Sequence, residues 1–527
     1  MAAVNDEDHV LAVDLGTSGP KAALVSSSGA VAASATEPVS LQLLPGGGAE
    51  QDPAEWWSAI AAASRRVMAE SGIPKQQVIA VACTAQWAGT VAVDESGEPL
   101  CPAVIWMDSR GNTAIRRQVR GKVPVLGIGA SKLATLVRLT GGAPSLSGKD
   151  PVGHILWLRE SRPDVYEATH KFLEPVDWVN QRLTGRFAAS YDSIVLHWST
   201  DNRVIDSVHY DDDLLKINGL DRRKLPDLGP PASIIGTLQH AAAEELGLPE
   251  GIAVSTGTGD LHSAAVGSGA VNDFDPHLYI GTSSWISCHV PYKKTAPTTN
   301  VASIPSAIPG RYVIADEHET AGACLTFLKD IVYADDVLGT IAQPGNFLAL
   351  FDQAAEQTPT GSNGAMFTPW LNGERTPVDD HTIRGGFHNL SLSNTRRDMV
   401  RAVFEGVAYN SRWLLDAVEK FCHKEFESLA FIGGGANSEI WCQIHADVTG
   451  RKIRQVDRPV LAGVRGASFL AFMALGRMKL DDIPQMVPVR KVFEPDTGSR
   501  RVHDARFSEF VELYGKTKDI HKRLNRF

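Results

Sequence analysis

Cysteine is scarce and scattered in this chain, with six among 527 residues and no Cys-x-x-Cys spacing. The positions, Cys83, Cys101, Cys288, Cys324, Cys422 and Cys442, exclude a disulfide framework or zinc cluster and fit reduced, mostly buried thiols. Long apolar runs are also missing. The longest patch, around Ser468–Leu475, falls far short of the ~20 residues a membrane-spanning helix requires, so no membrane partner is expected. A basic excess is absent too: 51 Lys and Arg stand against 61 Asp and Glu, a net charge of -10, which argues against a broad grip on nucleic acid. The opening MAAVNDEDHV is acidic and polar, unlike the basic-then-apolar start of a secretory leader, and the expectation is a cytoplasmic protein.

Several common sites are absent as well. The nearest approach to a Walker loop, GGAPSLSGKD, has Ala143 where the first glycine is required and Asp150 where Ser or Thr should follow the lysine. GTGDLH supplies Gly257 and Gly259 but places His262 at the third glycine position of a dinucleotide fingerprint. No GxSxG elbow and no HExxH occur.

What is present is a two-domain length and an α/β pattern. VLAVDLG, KAALVSS and AVAASATEPV read as strands. QDPAEWWSAIAAASRRVMAE reads as a helix started by Asp52 and Pro53, with Trp56, Ile60, Ser64 and Val67 at helical spacing. VIAVACTA and a short run ending in VIWMDSR read as further strands. LYIGTSSWISCHV, Leu278–Val290, repeats the strand-GTS-strand shape of the opening, so the Gly/Asn/Asp/Pro-rich stretch Gly267–Asp275 is the expected boundary. SLAFIGG runs into Gly433-Gly434-Gly435 and an expected helix Glu439–Val448.

Glycine-hydroxyl turns let consecutive N–H groups converge on an anion. In VLAVDLGTSGPKAALV, Lys21 adds a point charge, while Asp14 would repel phosphate unless a hydrated Mg²⁺ stood between them. The same residues also suit plain roles: a tight turn, a capping acid and a lysine on a solvated hairpin face. The triple glycine suits a ligand at a helix start or close helix-strand packing.

Together the ordered segments DLGTSGPKAALV, QDPAEWW, VIWMDSRG, STGTGDLHSAAVGSG, LYIGTSSWI, ETAGACLTFLKD, FTPWLNGERTPVDD and FIGGGANSEIWCQIHADVTG resemble the FGGY family of carbohydrate kinases through almost the whole chain. The resemblance implies two ribonuclease H-like α/β domains of the actin and hexokinase superfamily, residues 1–268 and 269–527, closing on a cleft. It implies ATP and Mg²⁺ as cofactors and a small sugar or polyol as partner, and a homodimer is compatible with it. Carried over, Gly16, Thr17, Ser18 and Lys21 would meet the β- and γ-phosphates from one side and Gly281, Thr282 and Ser283 from the other. Gly322, Gly434, Gly435, Ala436 and Ser438 would line the nucleotide, and Asp14 would organise Mg²⁺ through water. Asp260 would be the catalytic acid that accepts the acceptor hydroxyl's proton, with the ordinary aspartate pKa near ~3.9 making it a feeble base.

The acceptor side departs from the xylulokinase pattern. Gln86 is kept in TAQWAG, but Trp87 and Ala88 replace the usual Met-His, and Leu261 stands where an amide is common. Trp87 could stack on a sugar or fill core. Asp108 could bind substrate or pair with Arg110, the resemblance favouring a site role, and His262 could touch substrate or be structural. The expected reaction is phosphorylation of a primary hydroxyl of a ketopentose-like sugar, D-xylulose first. Another sugar, polyol or sugar acid, an actin-like ATP-driven switch and a non-catalytic sugar sensor are the alternatives. The tail RFSEFVELYGKTKDIHKRLNRF reads as a helix whose Phe507, Phe510, Val511 and Tyr514 pack on the second domain, with a solvated cationic face.

Overall fold

A computed structural model describes residues 7–332 and 347–525; residues 1–6 of the acidic opening and the last two of the tail lie outside the described residues. Two mixed sheets organise the chain. The first runs Val31–Thr36, Gly19–Ser26, His9–Gly16, Val78–Ala85, Ala253–Ser255, Ile234–Thr237 from edge to edge. His9–Gly16 is antiparallel to Gly19–Ser26 and parallel to Val78–Ala85. The second runs Ser284–Ser287, His277–Ile280, Ser428–Ile432, Lys452–Val456, Val489–Phe493, again a hairpin followed by two parallel strands and an antiparallel edge.

The central strands of the first sheet, His9–Gly16 and Val78–Ala85, are almost wholly buried because both faces are covered, whereas the edge strand Val31–Thr36 alternates toward solvent. Leu11, Val13 and Leu15 face the helix Pro53–Ser71, where Trp56, Ile60 and Val67 pack beneath them. Asp52 caps that helix, its carboxylate accepting the Ala54 N–H at 2.9 Å, which is worth about 1 kcal/mol. Val10 and Ala12 face the other way, onto the helices Asp260–Gly267 and Ala462–Ala474. The second of these comes from the far end of the chain, so one core is shared by both sheets: Ala430 and Ile432 of the second sheet belong to it as well. The two helices cross at backbone contact, since a Cβ on Gly466 would collide with the Ser263 carbonyl oxygen.

One expectation changes in detail and another, the tail helix, stands. VIWMDSR is a strand only over Ala103–Val104. The chain then turns, the Asp108 N–H donating to the Ile105 carbonyl at 2.8 Å, because the Asp108 carboxylate is drawn to the Ala49 N–H at 2.8 Å. The tail is a helix, Thr497–Leu524, with Phe510 fully buried against Trp370, Tyr409 and Trp413. All six cysteines are free. Among the described residues no helix is long and apolar enough to cross a membrane.

Candidate active site

Register places the site. Leu15 pairs with Ala85, and Ala85 pairs with Gly259 of the short parallel strand Thr258–Gly259. Gly16, Gln86 and Asp260 therefore leave three adjacent parallel strands at one level, at their carboxyl ends, where open α/β sheets build ligand sites. In the second sheet Tyr279 pairs with Ile432, so the Gly281 turn and the Gly433–Gly435 turn likewise leave together.

In the first turn Lys21 and Asp14 form an ion pair at 3.2 Å. Thr17 donates its hydroxyl to Gln86 Oε1 at 3.0 Å and accepts from the Trp106 indole N–H at 3.0 Å. Its proton is thus committed, and what it can offer an anion here is its backbone N–H. Gln86 is committed too, its amide donating to Gln51 Oε1 at 2.7 Å. Ser18 is exposed at the tip.

On the other side Gly281 and Gly322 are packed face to face. The Gly322 N–H donates to the Gly281 carbonyl at 2.9 Å, and a Cβ on Gly322 would collide with that oxygen. Gly433, at φ 85°, would drive a Cβ into the Ile280 carbonyl, so this left-handed turn accepts only glycine. Thr282 and Gly434 are exposed, while Ser283, Gly435 and Ala436 are buried. Ser438 caps the helix Glu439–Thr449 by accepting the Trp441 N–H at 3.1 Å, and it donates to Asp352 at 2.7 Å.

Asp260 opens the helix Asp260–Gly267, its Oδ1 accepting the Leu261 N–H at 2.9 Å. Its pKa is raised to about 7 by burial first, then by the charges of Asp14 and Glu317. The ordinary carboxylate value expected from sequence does not hold, because enclosure and two like charges penalise the ionised form. Tyr279 is pushed up as well, by burial and then by Asp260 and Asp14. Glu317, in turn, is raised by burial, against the pull of Arg375 and the weaker pull of the nearby Ser283 hydroxyl. Asp14, Asp260, Tyr279, Glu317 and Ser283 therefore form one electrostatic group spanning the two turns.

The remaining acceptor-side residues are more committed than their sequence signal indicated. Trp87 packs on Gly259, meets His262 edge-on at 5.0 Å and donates its indole N–H to the Ser193 carbonyl at 2.8 Å, so only its ring is available to a ligand. Ala88 stands at φ 61°, a strained position held from the next residue by Gly89 N–H donation to Glu174 at 3.0 Å. Asp108 is buried in an ion pair with Arg110 at 2.6 Å, and Arg110 also reaches Glu50 at 2.5 Å. His262 is fully buried, its pKa lowered to about 3 by burial, and so neutral. The structure adds Gln51, Trp106, Glu174, Glu317 and Arg375, which sequence reasoning did not single out. Their signals are partners distant in the chain, visible only once the sheets are assembled.

The donor set fits a divalent cation at Asp14. A Cβ on Gly463 would sit 2.6 Å from Asp14 Oδ2, so the helix Ala462–Ala474 approaches the carboxylate by its backbone alone. Among the described residues no cluster of three or more His, Cys, Asp or Glu could hold a metal.

Comparison with known proteins agrees across the chain. Residues 9–267 match the model for the FGGY family of carbohydrate kinases, N-terminal domain, and residues 278–475 match its C-terminal domain. A xylulose kinase of Staphylococcus epidermidis is 28% identical over 523 residues, covering 98% of this chain and 98% of that one. Among solved structures, a ligand-bound xylulose kinase from Lactobacillus acidophilus superposes with a TM-score of 0.83 at 22% identity, covering 98% of this chain and 100% of that one. A gluconate kinase from the same organism gives 0.83 at 21%, with the same coverage, so fold alone does not separate acceptors.

Proposed function

Since the chain belongs to the FGGY family of carbohydrate kinases, and is thereby an ATP-dependent sugar phosphotransferase, we propose that its acceptor is a neutral ketopentose, D-xylulose first, phosphorylated at its primary 5-hydroxyl. The observation that carries the reading is Asp260. It stands at the carboxyl end of the central strands, beside the Asp14–Lys21 pair, with a pKa raised to about 7.

A carboxylate poised near neutrality is matched to its task. The acceptor oxygen forms a bond to the γ-phosphorus, the bond from that phosphorus to the bridging oxygen breaks, and the hydroxyl proton passes to Asp260. Lys21 and the N–H groups of the turns at Gly16–Ser18 and Gly281–Ser283 meet the phosphate charge, while Gly322, Gly434, Gly435, Ala436 and Ser438 line the nucleoside side. When bound, Mg²⁺ held at Asp14 through water neutralises phosphate charge. Positioning and charge compensation carry most of the catalysis in such a loose transition state. The division of labour assigns residues 1–268 to the acceptor and first phosphate turn and 269–527 to the nucleotide.

Neutrality of the acceptor follows from the charges. Arg110 is spent on Asp108 and Glu50, Lys149 on Glu319, and Arg375 on Glu317 and Glu319, while Lys21, paired with Asp14, is the cation given to the phosphates. These cations are paired, whereas Asp260 is an acid with no cation partner among the described residues, which disfavours a sugar acid. Gln86 and Asp108 are already hydrogen-bonded to internal partners, which fixes their orientation and leaves Gln86 one amide N–H and Asp108 Oδ1 one lone pair toward an acceptor hydroxyl, with the Trp87 ring as an apolar wall. We place the protein in the cytoplasm, where ATP and phosphorylated sugars are kept.

The deciding experiment is ADP release from MgATP against ketopentoses, pentitols, glycerol, erythritol and aldonic acids. D-xylulose is expected to give the highest kcat/KM. A preference for an aldonic acid overturns the neutral-acceptor reading, and ADP release independent of any carbohydrate overturns the kinase reading.

A further inference from the structure

A compact group of ions bridges the two sheets' halves beside the site. Lys149, from the loop before helix Pro151–Ser161, meets Glu319 at 3.2 Å. Arg375 meets Glu317 at 2.5 Å through Nη1 and also pairs with Glu319 through Nε. Asn372 donates to Glu319 at 3.2 Å. The Arg375 guanidinium carbon also lies 5.9 Å from the centre of the Trp106 ring. Two cations and two carboxylates balance, so the group tolerates burial, and removal of one member strands a charge.

The ends of this group are the two hydroxyl turns. Trp106 holds Thr17 of the first through its indole N–H at 3.0 Å. Glu317 is held beside Ser283 of the second, because the next residues of each, His318 and Ser284, form a β-bridge in which the His318 N–H donates to the Ser284 carbonyl at 2.7 Å. Between them stands one side chain that can meet two carboxylates and an indole face at once. A planar guanidinium has the donors and the flat surface for this; an ammonium does not.

We infer that Arg375 is a positioning residue that sets the Thr17 turn and the Ser283 turn in one register, acting through Trp106 on one side and Glu317 on the other. Its kinetic readout rests on the kinase reading above; its binding readout does not. The relay predicts that Trp106 and Glu317, which lie in different halves of the chain, are energetically coupled, and that the coupling vanishes without the guanidinium.

The test is a double-mutant cycle of Trp106→Phe, which keeps the ring and removes the N–H, and Glu317→Gln, which keeps the shape and removes the charge, in wild-type and Arg375→Lys backgrounds. Each variant of the full chain is measured for affinity toward a non-hydrolysable ATP analogue and for kcat and KM with the best acceptor. Each single change is expected to lower kcat about tenfold with acceptor KM within about twofold, and the pair together no more than about twentyfold rather than a multiplicative hundredfold. Analogue affinity should show the same non-multiplicative pattern. In Arg375→Lys, itself about as slow as the pair, the two further changes should add less than about twofold. Multiplicative losses with Arg375 present, or wild-type kinetics in Arg375→Lys, overturn the relay. If Arg375→Lys does not fold, the cycle in the wild-type background still decides. Absence of carbohydrate-dependent turnover in the wild type would overturn the acceptor reading, with analogue affinity then deciding the relay by itself.

Discussion

The two hairpins share a backbone plan and differ in what they carry at the same places. In the first, Asp14, two residues before Gly16, lies opposite Lys21 and forms an ion pair with it. In the second, Tyr279, two residues before Gly281, lies opposite Trp285, and the rings stack at 3.9 Å and 8°. Both pairs point toward the core shared by the sheets, where Tyr279 and Trp285 pack and where the helix Ala462–Ala474 meets Asp14. The turns differ by a residue: Gly16 pairs directly with Gly19, whereas Ile280 pairs with Ser284 and leaves Gly281–Ser283 between. A duplicated scaffold has been divided, one hairpin handling charge and the other supplying a rigid apolar wall.

Breaking this division at its charged end should cost most. Asp260→Asn is expected to lower acceptor-dependent kcat at least about 10³-fold while nucleotide affinity changes less than about threefold, as read by steady-state kinetics and calorimetry. Unchanged turnover removes the proton-acceptor role. Next, Lys21→Met should cost about 10²-fold in kcat/KM for ATP, against less than about threefold for Tyr279→Phe, because only the first strips charge compensation from the phosphates. Equal losses at the two hairpins would contradict the division. At the glycine contact between Gly281 and Gly322, Gly322→Ala must push backbone from backbone. A loss of about 1–3 kcal/mol of stability, measured by denaturant unfolding, is expected together with weaker nucleotide binding.

The smallest effect is the most discriminating. With Asp260 raised to about 7, the acceptor kcat/KM should fall about tenfold for each pH unit below about 7 and level off above it, since only the ionised carboxylate takes the proton. Asp14 and Glu317 raise that pKa by like charge, so Asp14→Asn or Glu317→Gln should move the acid limb toward lower pH. A limb that stays in place would show that burial alone sets it.

Much of the fold was legible along the chain. The strand-GTS-strand repeat marks both hairpins because strands buried on two faces read as mostly apolar runs, broken in the first only by Asp14 and Lys21, and the turn residues that end them are a local signal. Asp52 with Pro53 marked the first helix for a local reason, a cap satisfying exposed N–H groups. VIWMDSR misled because apolarity was taken for strand, whereas the distant Ala49 N–H draws Asp108 into a turn. For Asp108 the sequence left substrate binding or pairing with Arg110 open, and the structure shows that pairing together with the Ala49 N–H; Gln86 is held by Thr17 and Gln51, and these partners lie between 35 and 69 residues away for all but Arg110.

By itself the sequence determined the residue types that can end a strand in a phosphate-binding turn, the helix caps and the duplicated order of elements, since these depend on neighbours within a few residues. Only the tertiary structure decided that Leu15, Ala85 and Gly259 lie in register and that a helix from residues 462–474 closes on Asp14. It also decided that Asp260 titrates near neutrality and that Arg375 stands between the two turns. Register, desolvation and ion pairing are set by groups hundreds of residues apart, and their energies exist only once those groups have been brought together out of water.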